Sequence, residues 1–188
     1  VAGCMPARYG EDLEAELTEA GAFVPCSRED DIALVLAGII GEASPGTEGA
    51  PENGEAGGRG PVSAYVKISD GCDRFCSYCT IPFIRGRYRS FPLERVRAGE
   101  DPLTVGGEGT TNGAAMLIAQ DTGRWGTDFE EPSTLAALVG SLAEEHPDTW
   151  FRVMYLQPEG LTDEYLEVVA VHPNVCDYFD IPLQHVDA

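Results

Sequence analysis

Three cysteines in one short segment are the clearest chemical feature of the sequence. Cys72, Cys76 and Cys79 have the spacing C-x3-C-x2-C and follow an apolar run at residues 64–68. This spacing after a predicted strand places three thiolates in one loop, residues 71–79, called here the cysteine loop. Three thiolates can bind a cubane 4Fe-4S cluster and leave one of its four irons open, whereas electron carriers usually close that position with a fourth cysteine.

The open iron determines the chemistry that we expect from this loop. It can chelate the amino and carboxylate groups of S-adenosylmethionine (SAM), so that an electron from the cluster can break the sulfonium C–S bond. The cofactors supply that chemistry, while the protein supplies position and excludes water. The spacing therefore predicts Cys72, Cys76 and Cys79 as catalytic, metal-binding residues.

A zinc site is the main alternative interpretation of the loop. Zinc takes four ligands, typically a C-x2-C pair with a second Cys or His pair at a set distance. No such second pair is found in the sequence, where His146, His172 and His185 are isolated. The pattern favours iron and sulfide, and a non-catalytic iron–sulfur or zinc-binding fragment is kept as the alternative from another class.

Composition limits the partners and the compartment. Thirty-two acidic residues against twelve basic ones give a formal net charge of −20, which repels phosphate backbones and attracts basic partners. Simple solubility is the plainer reason for such acidity. The longest apolar run, residues 32–40, is far shorter than the roughly 20 residues of a membrane span, and no signal peptide opens the chain. We expect a cytoplasmic protein without a membrane partner.

The elements that must position the loop follow an α/β pattern. A helix at 11–20, a strand at 22–24 and a helix at 31–40 form a first module. Residues 41–61 are rich in Gly, Glu, Pro and Ala and predict a flexible linker. After it, helices are predicted at 133–145, with Ser133 as the N-cap, and at 162–171. The predicted strands of this second module are 64–68, 116–119, 151–156 and 178–183.

Alternation of strands and helices predicts parallel βα units. Such units form an open sheet or a barrel, and in both the chemistry gathers at the carboxyl ends of the strands.

Residues 64–72 and 79–86 resemble the cluster loop of radical SAM methylthiotransferases. Residues 3–13 resemble the segment of that family's amino-terminal domain that carries the third cysteine of an auxiliary cluster. The resemblance implies that Cys4 is a metal ligand of a second 4Fe-4S cluster, whose other two cysteines would precede Val1. From the residues alone, such a Gly-Cys pair is more often a buried structural thiol.

The resemblance also implies the architecture. The expected fold class is α/β, with a partial (βα) radical SAM barrel preceded by the tail of the α/β methylthiotransferase amino-terminal domain. The predicted domains are that tail at 1–42, the flexible linker at 43–62 and the amino-terminal part of the barrel at 63–188. Both ends fall next to predicted strands, so we expect a fragment that lacks both termini.

Within the family, residues 117–122, 155–158 and 180–185 look like the branch that methylthiolates an aspartate of small-subunit ribosomal protein S-twelve. The tRNA-modifying branch usually differs at the first and last of these places. Ribosomal proteins are basic and tRNA is acidic, so the charge of −20 favours the first branch. The implied partners are a ribosomal protein substrate and an electron donor such as flavodoxin or ferredoxin. Methylthiolation of N6-isopentenyladenosine in tRNA is the alternative.

Five residues are expected to contact SAM on this resemblance, because barrel sites form at the carboxyl ends of strands. They are Tyr78, Gln120, Asp121, Gln157 and Gln184. A Gln or Asp at a strand end is also a common turn former or cap, so the structural interpretation stays open for each.

The resemblance breaks at residues 97–115, where glycines and a proline cannot sustain the family's helix. An insertion and an error in the sequence both explain the break. The Gly-Gly-Glu triplet at 106–108 is interpreted as loop, since the strand ending at Gln120 follows it.

Five arginines at 85–97 indicate a solvated or anion-facing surface more often than a nucleic-acid contact. Cys26 and Cys176 are interpreted as structural thiols.

Overall fold

The computed structural model describes residues 1–40, 63–98 and 113–183. The chain folds into two compact units, Val1–Gly58 with Asp73–Arg87 and Arg59–Cys72 with Tyr88–Ala188. The predicted linker and the Gly-Gly-Glu triplet lie outside the described residues, as does most of the break at 97–115. The predicted division into domains stays a prediction.

The first unit is built on a two-stranded parallel sheet. Its elements are β1 (Ala2–Gly3), α1 (Cys4–Glu16), β2 (Val24–Pro25), α2 (Ile32–Ile40) and α3 (Ile81–Arg85). Gly3 pairs with Pro25 across the sheet. Helix α1 begins well before the predicted residue 11, and it is kinked at Gly10, whose φ of 49° is not helical. Leu13 of α1 is buried together with Val24.

The second unit contains a three-stranded parallel sheet and a short antiparallel hairpin. Its elements are β3 (Ser63–Lys67), β4 (Ser69–Asp70), β5 (Arg89–Ser90), α4 (Leu93–Ala98), β6 (Ala114–Ile118), α5 (Leu135–Glu145), β7 (Trp150–Val153) and α6 (Asp163–Val171). The sheet has the order β3-β6-β7. In its register Ser63 pairs with Ala114, which pairs in turn with Trp150.

The core of the second unit lies between the sheet and its helices. On β6, Ala115 and Leu117 are fully buried, as the alternation along a strand requires. Helix α5 buries Leu138, Val139 and Leu142 in the same cluster, which matches its 3.6-residue pattern. Parallel strands joined through helices confirm the mixed α/β fold class. The partial barrel stays a prediction.

Two threonines cap the helices of the second unit. The Thr134 hydroxyl accepts from the Ala137 N–H at 3.1 Å, and the Thr162 hydroxyl accepts from the Tyr165 N–H at 3.2 Å. The predicted cap at Ser133 is therefore wrong by one residue, because Thr134 has the extended backbone of an N-cap.

The predicted strand at 178–183 is also wrong, since these residues form no strand. Val175 instead makes an isolated parallel bridge with Phe151. Further on, the Asp180 carbonyl accepts from the Leu156 N–H at 3.2 Å. The apolar run thus packs against the core without joining a regular ladder. None of the helices in the described ranges is long and apolar enough to cross a membrane.

Candidate functional site

The cysteine loop follows β4 directly and contains neither helix nor strand. Gly71 turns the chain with a φ of 73°, and Phe75 takes the left-handed conformation with a φ of 48°. A short turn joins two of the cysteines, because the Cys79 N–H donates to the Cys76 carbonyl at 2.9 Å. A non-glycine residue with positive φ costs conformational energy, and such residues cluster at functional sites.

The three predicted cluster ligands are half-buried cysteines. The boundary between the two units falls inside the loop, so that Cys72 belongs to the second unit and Cys76 and Cys79 belong to the first. Within the described ranges no group of three or more His, Cys, Asp and Glu side chains is arranged to hold a metal ion. The donor chemistry fits an iron–sulfur cluster. The assignment itself stays a prediction from the spacing.

Tyr78 lies beside two of these thiols, although its side chain is 69% exposed. Desolvation raises the pKa of Tyr78, and the neighbouring Cys76 and Cys79 raise it further, Cys76 also through a side-chain hydrogen bond. The phenol is therefore protonated at neutral pH. Its predicted contact with SAM stays a prediction.

The hairpin of β4 and β5 holds both ends of the segment that contains the cysteine loop. Ser69 pairs with Ser90 and Asp70 pairs with Arg89 in antiparallel register. The Asp70 carboxylate accepts from the Gly71 N–H at 3.0 Å. Residues 71–88, with the loop and α3, therefore leave and re-enter the second unit at adjacent points.

The segment after β6 carries two of the predicted SAM contacts. Asp121 and Thr122 are fully buried, and the Thr122 hydroxyl donates to the Met154 carbonyl at 2.9 Å. The Oε1 atom of Gln120 is buried without a hydrogen bond to any residue that the structure describes. The side chains of Gln120 and Asp121 thus lie at the carboxyl end of β6, as the sequence predicts. Their role in binding SAM stays a prediction.

Sequence reasoning missed a buried polar cluster beside Asp121. Ser90 links β5 to the segment after β6, since its hydroxyl accepts from the Gly126 N–H at 2.8 Å and its N–H donates to Asp128 at 2.9 Å. Burial raises the pKa of Tyr88, and Asp121 and Asp128 raise it further, while hydrogen bonds with Ser69 and Ser90 lower it.

No periodic pattern predicts this cluster, because its residues come from three separate segments. The residues next to Tyr88 are polar, so the sequence does not indicate that its side chain is buried.

The loops that follow β6 and β7 meet at two glycines. A Cβ on Gly123 would lie 2.6 Å from the Gly160 Cα, so neither position has room for a side chain. Gln157, a predicted SAM contact, is half-buried in the second of these loops. Its carbonyl accepts from the Gly160 N–H at 2.8 Å. Gln184 lies outside the described residues.

The remaining cysteines differ in exposure. Cys4 is exposed at the first turn of α1 and follows Gly3, whose φ is 102°. Its interpretation as a buried structural thiol is therefore wrong, and its role as a cluster ligand stays a prediction. Cys26 is buried, and its thiol donates to the Ile84 carbonyl at 3.4 Å. Cys176 is half-buried.

No family model matches the chain. Curated proteins do match it along its whole length. The chain is 40% identical over 198 residues to "Ribosomal protein uS12 methylthiotransferase RimO" of Syntrophus aciditrophicus (strain SB), covering 100% of this chain and 43% of the relative. The protein of the same name from Trichlorobacter lovleyi is 36% identical over 197 residues, covering 99% of this chain and 42% of the relative. That from Natranaerobius thermophilus is 37% identical over 194 residues, with 100% and 43% covered.

The chain spans 43% of the length of the first of these relatives, so it corresponds to one part of them. The similarity extends through the cysteine loop and both units, and the relatives share one printed name. The predicted resemblance is thereby confirmed: over its full length this chain is similar to a segment of the ribosomal protein uS12 methylthiotransferases.

Proposed function

We propose that this chain is part of a radical SAM methylthiotransferase that adds a methylthio group to an aspartate of a small-subunit ribosomal protein. The observation that carries the proposal is the 40% identity over the whole chain to a uS12 methylthiotransferase. The C-x3-C-x2-C spacing of the cysteine loop supplies the chemistry.

In this proposal Cys72, Cys76 and Cys79 bind a 4Fe-4S cluster through their thiolates, and Cys4 is a ligand of a second cluster. When bound, the first cluster and SAM supply reductive cleavage of the sulfonium C–S bond. Tyr78, which lies beside Cys76 and Cys79, is proposed to contact SAM. The pairing of β4 with β5 holds the two ends of residues 71–88, the segment that contains the loop.

The carboxyl ends of the strands complete the proposed site. Asp121 and Thr122 are fully buried there. Gln120, Asp121, Gln157 and Gln184 are proposed to contact SAM from these ends. The parallel order β3-β6-β7 is consistent with part of a (βα) barrel, which we propose as the complete architecture.

The test is anaerobic reconstitution with iron and sulfide, followed by reduction with dithionite in the presence of SAM. We expect bound iron and sulfide and the release of 5'-deoxyadenosine, measured by chromatography. Cys76→Ser should abolish both, whereas Cys176→Ser, which changes a half-buried thiol elsewhere in the chain, should abolish neither.

Bound zinc in place of iron, or equal losses in both variants, would contradict the proposal. The substrate is tested separately by mass spectrometry, with recombinant ribosomal protein and tRNA offered in parallel. Modification of an aspartate in the protein supports the proposal, and modification of tRNA alone contradicts it.

A further inference from the structure

Three cations surround one aromatic ring in the second unit. The charged groups of Arg95, Arg89 and Lys67 lie 3.9, 5.7 and 6.0 Å from the centroid of the Phe91 ring. These four residues are called here the Phe91 patch. The π face of an aromatic ring attracts cations, which offsets the mutual repulsion of like charges held this close together.

The Phe91 ring is held in place by burial and by backbone hydrogen bonds, so the centre of the patch is ordered before a partner binds. Phe91 is only 6% exposed. Its N–H donates to the Ile68 carbonyl at 2.8 Å, and its carbonyl accepts from the buried Trp125 indole at 2.9 Å. The two arginine side chains around it are exposed. A surface whose side chains are already placed loses little entropy on binding.

The Phe91 patch carries positive charge in an acidic chain. Lys67 is paired with the Asp70 carboxylate at 3.2 Å. Arg89 and Arg95 expose their guanidinium groups beside the ring, and they give this part of the described surface its positive charge. Arg97 of the adjacent helix does not add to it, because its guanidinium is paired with Glu145. The net charge of the whole chain is −20.

The patch lies on the strands that lead into and out of the cysteine loop. Lys67 ends β3 and Asp70 ends β4, immediately before Gly71. Arg89 begins β5, where the segment returns. The proposed reaction needs an electron from outside the chain. A partner bound to these strands would lie where residues 71–88, the segment that would receive the electron, join the second unit.

From these features we propose that the Phe91 patch docks a small acidic electron-carrier protein. This inference rests on the proposed function. An acidic carrier is repelled by most of this chain, so a local positive patch directs the encounter to one place. Transient electron-transfer partners use small interfaces, below about 1,200 Å².

A nucleic acid fits the patch less well. Proteins that bind duplex DNA tightly neutralise roughly 6 to 10 phosphates, far more than this patch can offer. With an iron–sulfur group held by Cys72, Cys76 and Cys79, the reduced carrier would give one electron to that group. The carrier is oxidised by one electron, the group is reduced by one, and no atom is transferred.

Binding is tested first, without any need for a bound cluster. Oxidised flavodoxin is titrated with the chain at low and high salt, and the binding is followed by flavin fluorescence anisotropy. The double variant Arg89→Glu with Arg95→Glu should weaken binding by about tenfold or more and remove most of its salt dependence. The double variant Arg8→Glu with Arg28→Glu is the matched control, since it makes the same change of charge at two exposed arginines of the first unit.

Electron transfer is tested next on the reconstituted protein by stopped-flow absorbance. Reduced flavodoxin should reduce the Arg89→Glu, Arg95→Glu variant about tenfold more slowly than the parent. Dithionite, which needs no docking surface, should reduce both at the same rate. Equal effects in the Arg89→Glu, Arg95→Glu variant and in the control variant, or competition by an RNA oligomer with no binding of flavodoxin, would overturn the inference. Intact docking with no SAM cleavage by dithionite would instead count against the proposed function alone.

Discussion

Gly123 and Gly160 show how much of the candidate site depends on single residues. They allow two backbones to touch, with less than 3 Å between either Cα and a Cβ built on the other. The two loops that meet there carry Asp121 and Gln157, two of the proposed SAM contacts. A side chain at either glycine would therefore push apart the carboxyl ends of β6 and β7.

We expect Gly160→Ala to lower the free energy of unfolding by about 1–3 kcal/mol, the usual cost of overpacking. Its Cβ would lie 2.7 Å from the Gly123 Cα and 2.8 Å from the Leu156 Cδ1. Gly140→Ala is the control. That glycine is inside α5 and its Cβ would meet only Val168, at 3.8 Å, so the variant should gain about 1 kcal/mol in helix propensity. Urea unfolding measures both, and a neutral Gly160→Ala would refute the close approach.

For single residues, the sequence predicts the chemistry of the cysteine loop but does not predict which polar side chains are buried. The spacing of Cys72, Cys76 and Cys79 indicates a metal site because ligand geometry depends on spacing within one loop. The contact of Ser90 with Gly126 and Asp128 joins segments far apart in the chain. Such contacts follow from the packing of strands and loops, and no local pattern encodes them.

At the scale of elements, periodicity predicted the regular segments well. Helices α5 and α6 and strands β3, β6 and β7 lie close to their predicted positions, since each has a buried face with its own period. The run at 178–183 is apolar enough for a strand but forms none. Hydrophobicity predicts that a segment is packed against the core, whereas only a neighbour with free backbone groups makes it a strand.

The N-cap of α5 gives a test at this scale. We expect Thr134→Ala to reduce the free energy of unfolding by about 1 kcal/mol, because it removes the side-chain acceptor of the Ala137 N–H. Ser133→Ala, which changes the residue that the sequence suggested as the cap, should alter stability by less than about 0.5 kcal/mol. Thermal unfolding followed by circular dichroism compares the two, and a larger loss in Ser133→Ala would show that the cap is misplaced.

At the scale of the whole molecule, charge is the dominant property. The 32 acidic and 12 basic residues give a net charge of −20. Repulsion among so many like charges opposes compactness. Some of the basic residues have partners within the chain: Arg97 pairs with Glu145, and Arg95 lies over Phe91.

Added salt should therefore stabilise this chain. Raising NaCl from about 0.01 M to about 0.15 M shortens the Debye length from about 30 Å to about 8 Å, which screens the net repulsion. We expect the melting temperature to rise, although the exposed Arg97–Glu145 pair is weakened. The variant Arg97→Gln lacks that pair and should gain more from salt than the parent. A fall in melting temperature with salt in both proteins would contradict this account.

The adjacency of the two strands that bracket residues 71–88 bears on how this chain can change over evolution. Residues 71–88 begin and end at neighbouring positions of the β4–β5 pair, so this segment can vary in length without moving its two ends apart. Residues can be gained, lost or exchanged within it while the parallel sheet keeps its register. A transplanted segment must still fit the first unit, where the Cys26 thiol donates to the Ile84 carbonyl.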